Sequence, residues 1–440
     1  MRIRLAVPIL ALVLAATLAA PPALLQPARA ADAGIVYEVL AAIVENHVER
    51  PEPAKLLAGA VGGLREALTR AGVTAQLADL SATTESEARL QFQERFDQAV
   101  AQSGGSVPEV QLRYAAAAAM AASVGDSHTW FANPEQWREF VERTQGNPSF
   151  VGIGVLLLPR DGRFYIWRVF AGSPAEQAGL RAFDRIVTVD GQSTQNMSTQ
   201  DLVSRVRGPA GTQVQIGVQR PGQAAPVTVA ITRGPITVQV ENHRVLDNQI
   251  GYLELGGFPS GAAARVRQAL DDLRGRNIRG LILDLRRNSG GSLNEVLDVS
   301  NLLLPPNLLV YTLTTRGGTV QGVTGGGPLL DPAIPLVVLT DEGTASGGEL
   351  LSSALQEHGR AQVVGAQTAG ALQVGRLFPL SDGSGLSITI AQIATGKGAT
   401  LEKNGAQPNI AVPLTTADLD QGADPQLRRA IQLLSGSASR

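Results

Sequence analysis

"PLVVLTDEGTASGGELLSSALQEHG", residues 335–359, decides how the chain is to be read. Leu336 to Leu339 form a short apolar, β-branched run, the pattern of a strand buried on both faces. From Gly347 onward the spacing is that of a helix. Between them lies a turn of small and polar residues, Asp341 to Ser346. A strand that passes through a tight turn into a helix is half of a crossover unit. The same pattern recurs on both sides. "IGYLELGGF" (250–258) and "GLILDLR" (280–286) read as strands with the helix "AAARVRQALDDLRGR" (262–276) between them, and "AQVVGA" (361–366) reads as a further strand. This alternation predicts an α/β core over 236–414, a largely parallel sheet flanked by helices, followed by a C-terminal helix and tail at 415–440. In such sheets sites gather at the carboxyl ends of strands. Both Gly-rich stretches, "RRNSGGS" (286–292) and "DEGTASGGE" (341–349), directly follow strands.

Ser346 has two readings. Ser346-Gly347-Gly348-Glu349 has the S-x-x-E form of a capping box, so the hydroxyl fits a helix cap. A strand-to-helix turn also lifts a side chain to the rim of the sheet, where other hydrolases place their nucleophile. The start of the helix offers unpaired N–H groups to a developing oxyanion, and Gly290 and Gly291 offer a second set of donors.

Composition narrows the chemistry. A hydrophobic content of 44% supports sizeable cores, and 17% charged residues is too few for a disordered chain. The net charge of −2 gives no electrostatic case for nucleic acid. The absence of Cys excludes disulfides, a thiol nucleophile and Cys-ligated zinc. Four His, none in an HExxH array, argue against a metal site, and no cofactor is expected.

Upstream of the core the texture changes twice. Residues 31–148 read as helical: "IVYEVLAAIVENHVER" (35–50), "SEARLQFQERFDQAVAQ" (86–102) and "VPEVQLRYAAAAAMAASV" (107–124) carry apolar residues at helical spacing and run into "GDSHTWF" (125–131). These helices could serve a homodimer or pack on the core. Residues 149–235 are short β-rich runs separated by Gly- and Pro-bearing turns. At the N-terminus, Arg2 and Arg4 precede the apolar stretch "LAVPILALVLAATLAA" and a small-residue site, Ala28-Arg29-Ala30. Residues 1–30 therefore read as a signal peptide. No later run reaches the ~20 apolar residues of a spanning helix. An exported protein, periplasmic or secreted and without a stable membrane span, is expected.

The β-rich segment resembles a PDZ domain in "FVGIGVLL" (150–157), "VFAGSPAEQAGLRAFDRIVTVDG" (169–191) and "LVSRVRGPAGTQVQIGV" (202–218). Phe183 departs from the family, which has Gly before Asp184. PDZ domains bind peptide C-termini by adding a strand to a sheet edge. The resemblance makes Gly152, Ile153 and Gly154 the carboxylate loop, and polypeptides or their C-termini the expected partners.

"LILDLRRNSGG" (281–291), the nucleophile stretch continued through "GRAQVVGAQTAG" (359–370), and "NGAQPNIAV" (404–412) resemble the carboxyl-terminal processing (tail-specific) peptidases and the related tricorn-type peptidases. The resemblance runs from about residue 120 to 413. It implies an acyl-enzyme serine peptidase with Ser346 as nucleophile and the N–H groups of Gly347 and Gly290 as oxyanion donors. Ser289 stands where the family has Pro. A larger departure is the base. The processing peptidases use a lysine in a segment that here reads "QTAGALQ" (367–373), where the position matches Ala371. Arg376 is no substitute, because a guanidinium stays protonated.

Histidine is the natural alternative. His358 lies on the helix of Ser346, ~18 Å along its axis. His47 is expected to face solvent, and His243 sits in a linker. His128, in "GDSHT", remains. In the tricorn-type branch the catalytic His follows a Ser in this segment, and a Glu comes from near the end of the core. Ser127-His128 and Glu402, in "LEKNGAQPNIAV", match that pattern, with Asn409 in place of an Asp. The expectation is His128 as general base, with Glu402 and Ser127 orienting the network in an order the sequence leaves open. Two alternatives stand beside it. One is an inactive relative that acts as a PDZ-bearing binding or scaffold protein, suggested by Ala371. The other is a migrated lysine, Lys397 or Lys403, in place of His128.

Overall fold

The computed structural model describes residues 33–144, 149–237 and 240–437. Residues 1–30, the expected signal peptide, lie outside these residues. Glu241–Leu246, Ile250–Leu255, Gly280–Asp284, Leu336–Thr340, Ala361–Gly365 and Ile410–Ala411 form a six-stranded sheet in that spatial order. Only Glu241–Leu246 runs antiparallel to its neighbour. The continuous apolar runs have the physical cause that the sequence suggested. Leu281, Leu283 and Val338 point to one face, which the helices Ala262–Gly275, Leu293–Leu303 and Gly347–Glu357 cover. Ile282, Val337 and Leu339 point to the other, where Ala430 and Leu434 of the helix Pro425–Ser437 pack.

A second sheet was not foreseen. Trp130–Ala132, Gly385–Thr395, Leu309–Thr315 and Gly318–Val323 lie side by side, and Gln373–Pro379 also pairs with Gly385–Thr395, all antiparallel. Long gaps between its strands hide it from local pattern reading. Trp130, for example, pairs with Ser387.

The helices Gly34–Asn46, Pro53–Arg70, Glu85–Ser103 and Glu109–Ala122 bury their apolar stripes against one another and against Leu386 and Ile388 of the second sheet. The β-rich segment folds around Ile166, Ile186, Leu202, Val214, Ile216 and Val218. Its Val155–Arg160 strand lies at a sheet edge. The strands Ser149–Gly152 and Gly234–Thr237 pair antiparallel and close the insertion at its base. Phe183 explains the family preference for Gly: it holds φ +69°, costly for a bulky residue, and its ring stacks edge-on against Trp167 at 6.1 Å. Arg168 pairs with Glu254 of the core at 2.9 Å, and the Arg286 guanidinium lies over the Trp167 ring at 4.7 Å.

Candidate active site

The strand Leu336–Thr340 delivers the chain to a turn that is tied at every step. Thr344 Oγ1 donates to Leu285 O at 2.8 Å, and Ala345 N–H donates to Asn288 O at 2.8 Å. These bonds fasten the turn to the neighbouring Gly-rich loop. Ser346 then adopts φ 50°, ψ −116°. A non-glycine residue pays for such a backbone only when its surroundings impose it. Here Glu349 does so. Its fully buried carboxylate accepts from Ser346 N–H (2.9 Å), Ala371 N–H (2.9 Å), Gly370 N–H (2.8 Å) and Thr368 Oγ1 (2.5 Å). The acidic member of the expected capping box therefore has a larger task than capping. It joins the Ser346 turn to the 368–371 segment, which also takes the Ser346 N–H on Ala371 O at 3.1 Å.

Gly290 holds φ +91° directly beside Ser346. A Cβ there would lie 2.9 Å from Ser346 Oγ and 2.7 Å from Gly347 N, so no side chain fits. The two expected oxyanion donors differ in state. Gly347 N–H, at the first position of its helix, donates to no group among the described residues. Gly290 N–H donates to Asn288 Oδ1 at 2.9 Å, and Asn288 Nδ2 is anchored on Leu255 O at 2.8 Å. Turning the Gly290 donor toward an oxyanion requires that bond to exchange.

Ser127, His128 and Glu402 come together across 275 residues of chain. Glu402 Oε2 accepts from Ser127 Oγ at 3.0 Å and from Leu372 N–H at 3.0 Å, while Oε1 accepts from Ser127 N–H at 3.0 Å. Ser127 Oγ stands 2.7 Å from His128 Nδ1. The order left open by the sequence is thus Glu402–Ser127–His128, with the hydroxyl against the imidazole. The network assigns the tautomer. A carboxylate only accepts, so the Ser127 hydroxyl donates to Glu402 and receives the Nδ1–H bond. Nε2 then carries the lone pair. Burial lowers the His128 pKa below its ordinary value, and the charges of Glu402, Asp126 and Glu349 oppose that shift. The net effect favours a neutral ring, the form that accepts a proton.

Backbone contacts of one segment link the two halves. Ala371 O binds Ser346 N–H, and the next residue, Leu372, gives its N–H to Glu402. Lys397 lies elsewhere: its N–H binds Glu357, the last residue of the Ser346 helix. Lys403 directly follows Glu402 and gives its N–H to Gly370 O. His358 caps that helix with Nε2 on Leu309 O, and His243 pairs with Asp272. His47 corrects the expectation of a solvent-facing residue. It is 1% exposed and meets Asp126 at 2.8 Å. The amphipathic pattern placed it at the margin of a helical face, and a partner 79 residues away draws it inside. Asp126 itself was overlooked, although an Asp two residues before a key His is a turn-forming signal.

In the β-rich segment, Gly152 ends a strand, Ile153 is buried, and Gly154 holds φ +84° with Ser173 packed against it. Gly154 O accepts from Phe170 N–H at 2.9 Å. This loop leads straight into the edge strand Val155–Arg160. Among the described residues no cluster of His, Cys, Asp or Glu is arranged to hold a metal ion.

A strand-to-helix serine beside a glycine loop, on an α/β core that carries an inserted β-rich module, is the arrangement of a serine peptidase with a PDZ domain. Residues 249–412 match peptidase family S41 and residues 166–220 match the PDZ domain. The chain is 36% identical over 334 residues to the carboxyl-terminal-processing protease of Synechocystis sp., covering 74% of this chain and 78% of that protein. It is 33% identical over 328 residues to the protein of that name from Picosynechococcus sp., covering 73% and 79%. Among solved structures, the photosystem II D1 C-terminal processing protease matches at 25% identity with a TM-score of 0.54, over 87% of this chain and 93% of that one. The chain belongs to the serine peptidases of family S41, among the carboxyl-terminal-processing proteases.

Proposed function

We propose that the chain is an exported endopeptidase that cleaves polypeptides through an acyl-enzyme at Ser346, with His128 rather than a lysine as general base. The observation that carries this reading is the hydrogen-bonded series Glu402–Ser127–His128, which leaves Nε2 as the basic nitrogen. In the first half-reaction, Ser346 Oγ attacks the peptide carbonyl carbon while its proton passes to His128 Nε2. The oxyanion is met by Gly347 N–H, with Gly290 N–H as second donor once it leaves Asn288. The C–N bond then breaks, and His128 returns the proton to the leaving amine. Water attacks the acyl group with His128 again as base, and Ser346 recovers its proton. Glu402 holds Ser127, and Ser127 keeps the imidazole in the Nδ1–H tautomer and supports the imidazolium.

The PDZ segment recruits substrates by their C-termini. Val155–Arg160 is the edge to which a peptide strand adds, and Gly152-Ile153-Gly154 is the loop for its carboxylate. The basic and apolar start of the sequence, ending at Ala28-Arg29-Ala30, supports export.

The test is peptide hydrolysis and fluorophosphonate labelling of the mature chain. Ser346→Ala and His128→Ala each abolish both, whereas Lys403→Ala leaves both in place. A His128→Ala protein with full activity would falsify the assignment of the base. A wild-type chain that binds peptides but neither labels nor hydrolyses supports the binding-protein alternative.

A further inference from the structure

The turn that carries Ser127 and His128 is held from behind by groups outside the proposed reaction. Asp126 Oδ1 accepts from the N–H groups of His128 (2.9 Å) and Thr129 (2.7 Å) and from Thr389 Oγ1 (2.8 Å). Its Oδ2 accepts from Thr129 Oγ1 (3.0 Å) and faces His47 Nε2 at 2.8 Å. One carboxylate thus gathers the backbone of the turn, a strand of the second sheet and the end of the first helix.

His47 is as constrained as Asp126. Its Nδ1 accepts from Glu49 N–H at 3.1 Å, which places the ring proton on Nε2 and makes the ring a donor to Asp126. Its carbonyl accepts from Arg316 Nε at 2.8 Å, and the next residue, Val48, gives its N–H to Thr389 O at 2.9 Å. Both ring nitrogens and the carbonyl are used, and the residue is 1% exposed. A buried polar pair is costly unless fully bonded, and this one is fully bonded around the backbone N–H of His128.

We propose that His47 is a positioning residue of the peptidase: through Asp126 it fixes the backbone at His128, so that Nδ1 meets Ser127 and Nε2 is left as the basic nitrogen. The inference rests on His128 being the base. It makes the first helix, distant from the peptidase core in sequence, part of the apparatus that orients that base.

The experiment compares His47→Phe, His47→Gln, Asp126→Asn, Thr389→Val and His128→Ala in the mature full chain, with thermal melting and PDZ-peptide binding as checks of folding. Gln places an N–H donor near the position of imidazole Nε2, whereas Phe offers none. His47→Phe is expected to lower kcat by about 30-fold or more with KM within about twofold, because misplacing a catalytic group by a fraction of an ångström acts on the chemical step. His47→Gln restores kcat to within about threefold of wild type. Thr389→Val, nearly isosteric, removes one bond to Asp126 and lowers kcat by roughly three- to tenfold at unchanged KM. Asp126→Asn also removes one of the three charges facing His128, the others being Glu402 and Glu349, so the acid limb of kcat/KM moves to lower pH. An unmoved limb means that the group titrating there is not His128, which sinks the base assignment on which the inference rests.

A folded His47→Phe protein with wild-type kcat overturns the inference. If His47→Phe fails to fold, an unchanged kcat in Thr389→Val overturns it instead. His128→Ala separates the two levels. Full activity in that variant sinks the base assignment itself, whereas an inactive His128→Ala beside a fully active His47→Phe sinks only the positioning role.

Discussion

Glu402→Gln isolates the electrostatic part of the proposed base. The carboxylate holds Ser127 Oγ at 3.0 Å, and Ser127 Oγ stands 2.7 Å from the ring. The negative charge therefore lies ~5–6 Å from an imidazolium, worth ~3 kcal/mol at an effective dielectric constant of ~20. Glu402 is partly exposed, and solvent screening reduces this to about 1.4–2.7 kcal/mol, or about 10- to 100-fold in kcat. Gln also presents an NH₂ group to an N–H or O–H that the carboxylate had accepted, so the Ser127 hydroxyl loses its fixed orientation. A second effect has a definite sign. His128 serves as a base only when neutral, so kcat/KM falls as pH drops through its pKa. Burial holds that pKa down, and Glu402 is the foremost of the charges that raise it. Removing the charge lowers the pKa further, and the acid limb moves to lower pH while the plateau falls. The assay is kcat/KM on a fluorogenic peptide from pH 4 to 9, with fluorophosphonate labelling rate as a second readout. A plateau within about twofold of wild type and an unmoved acid limb would refute the relay.

Four other outcomes are expected. Gly290→Ala sets a Cβ 2.9 Å from Ser346 Oγ at φ +91° and should cut labelling by about 100-fold or more while circular dichroism stays native. Glu349→Gln leaves at least one of four buried donors facing an NH₂ group and should cost ~2–4 kcal/mol in denaturant unfolding. Burial raises the Asp126 pKa, but hydrogen bonds from His47, Thr389, His128 and Thr129 outweigh it and hold the pKa well below the usual carboxylate range. The stabilisation from Asp126 is therefore full above its unfolded pKa and is lost as pH falls through the folded value. The melting temperatures of wild type and Asp126→Asn should accordingly differ at pH 7, and the gap should narrow progressively only as pH falls below about 4. In fluorescence polarisation, a peptide with a free C-terminal carboxylate should bind at least about tenfold tighter than its amide, and Gly154→Val should abolish the difference.

The parallel sheet was legible because its strands are buried on both faces and read as continuous apolar runs, while the helices between them keep a 3.6-residue period. The Ser346 turn was legible for the same local reason. His128, Ser127 and Glu402 were reached through a family resemblance, since no local period ties residue 127 to residue 402. The order within that network and the second task of Glu349 depend on hydrogen bonds between segments far apart in the chain, and the tie of Gly290 to Asn288 depends on the conformation of one loop. His47 misled because its helical face was judged from its own helix, whereas its environment is set by Asp126. The antiparallel sheet stayed hidden because Trp130 and Ser387 lie on opposite sides of the PDZ insertion.

The central claim is that His128 takes the proton of Ser346. The most direct test is a crystal structure of the fluorophosphonate adduct at Ser346, read for the distance from His128 Nε2 to Ser346 Oγ. A separation of ~2.6–3.2 Å, with Nδ1 still on Ser127, is the predicted result. An imidazole beyond ~5 Å from Ser346 Oγ, with Lys403 Nζ in its place, would contradict it.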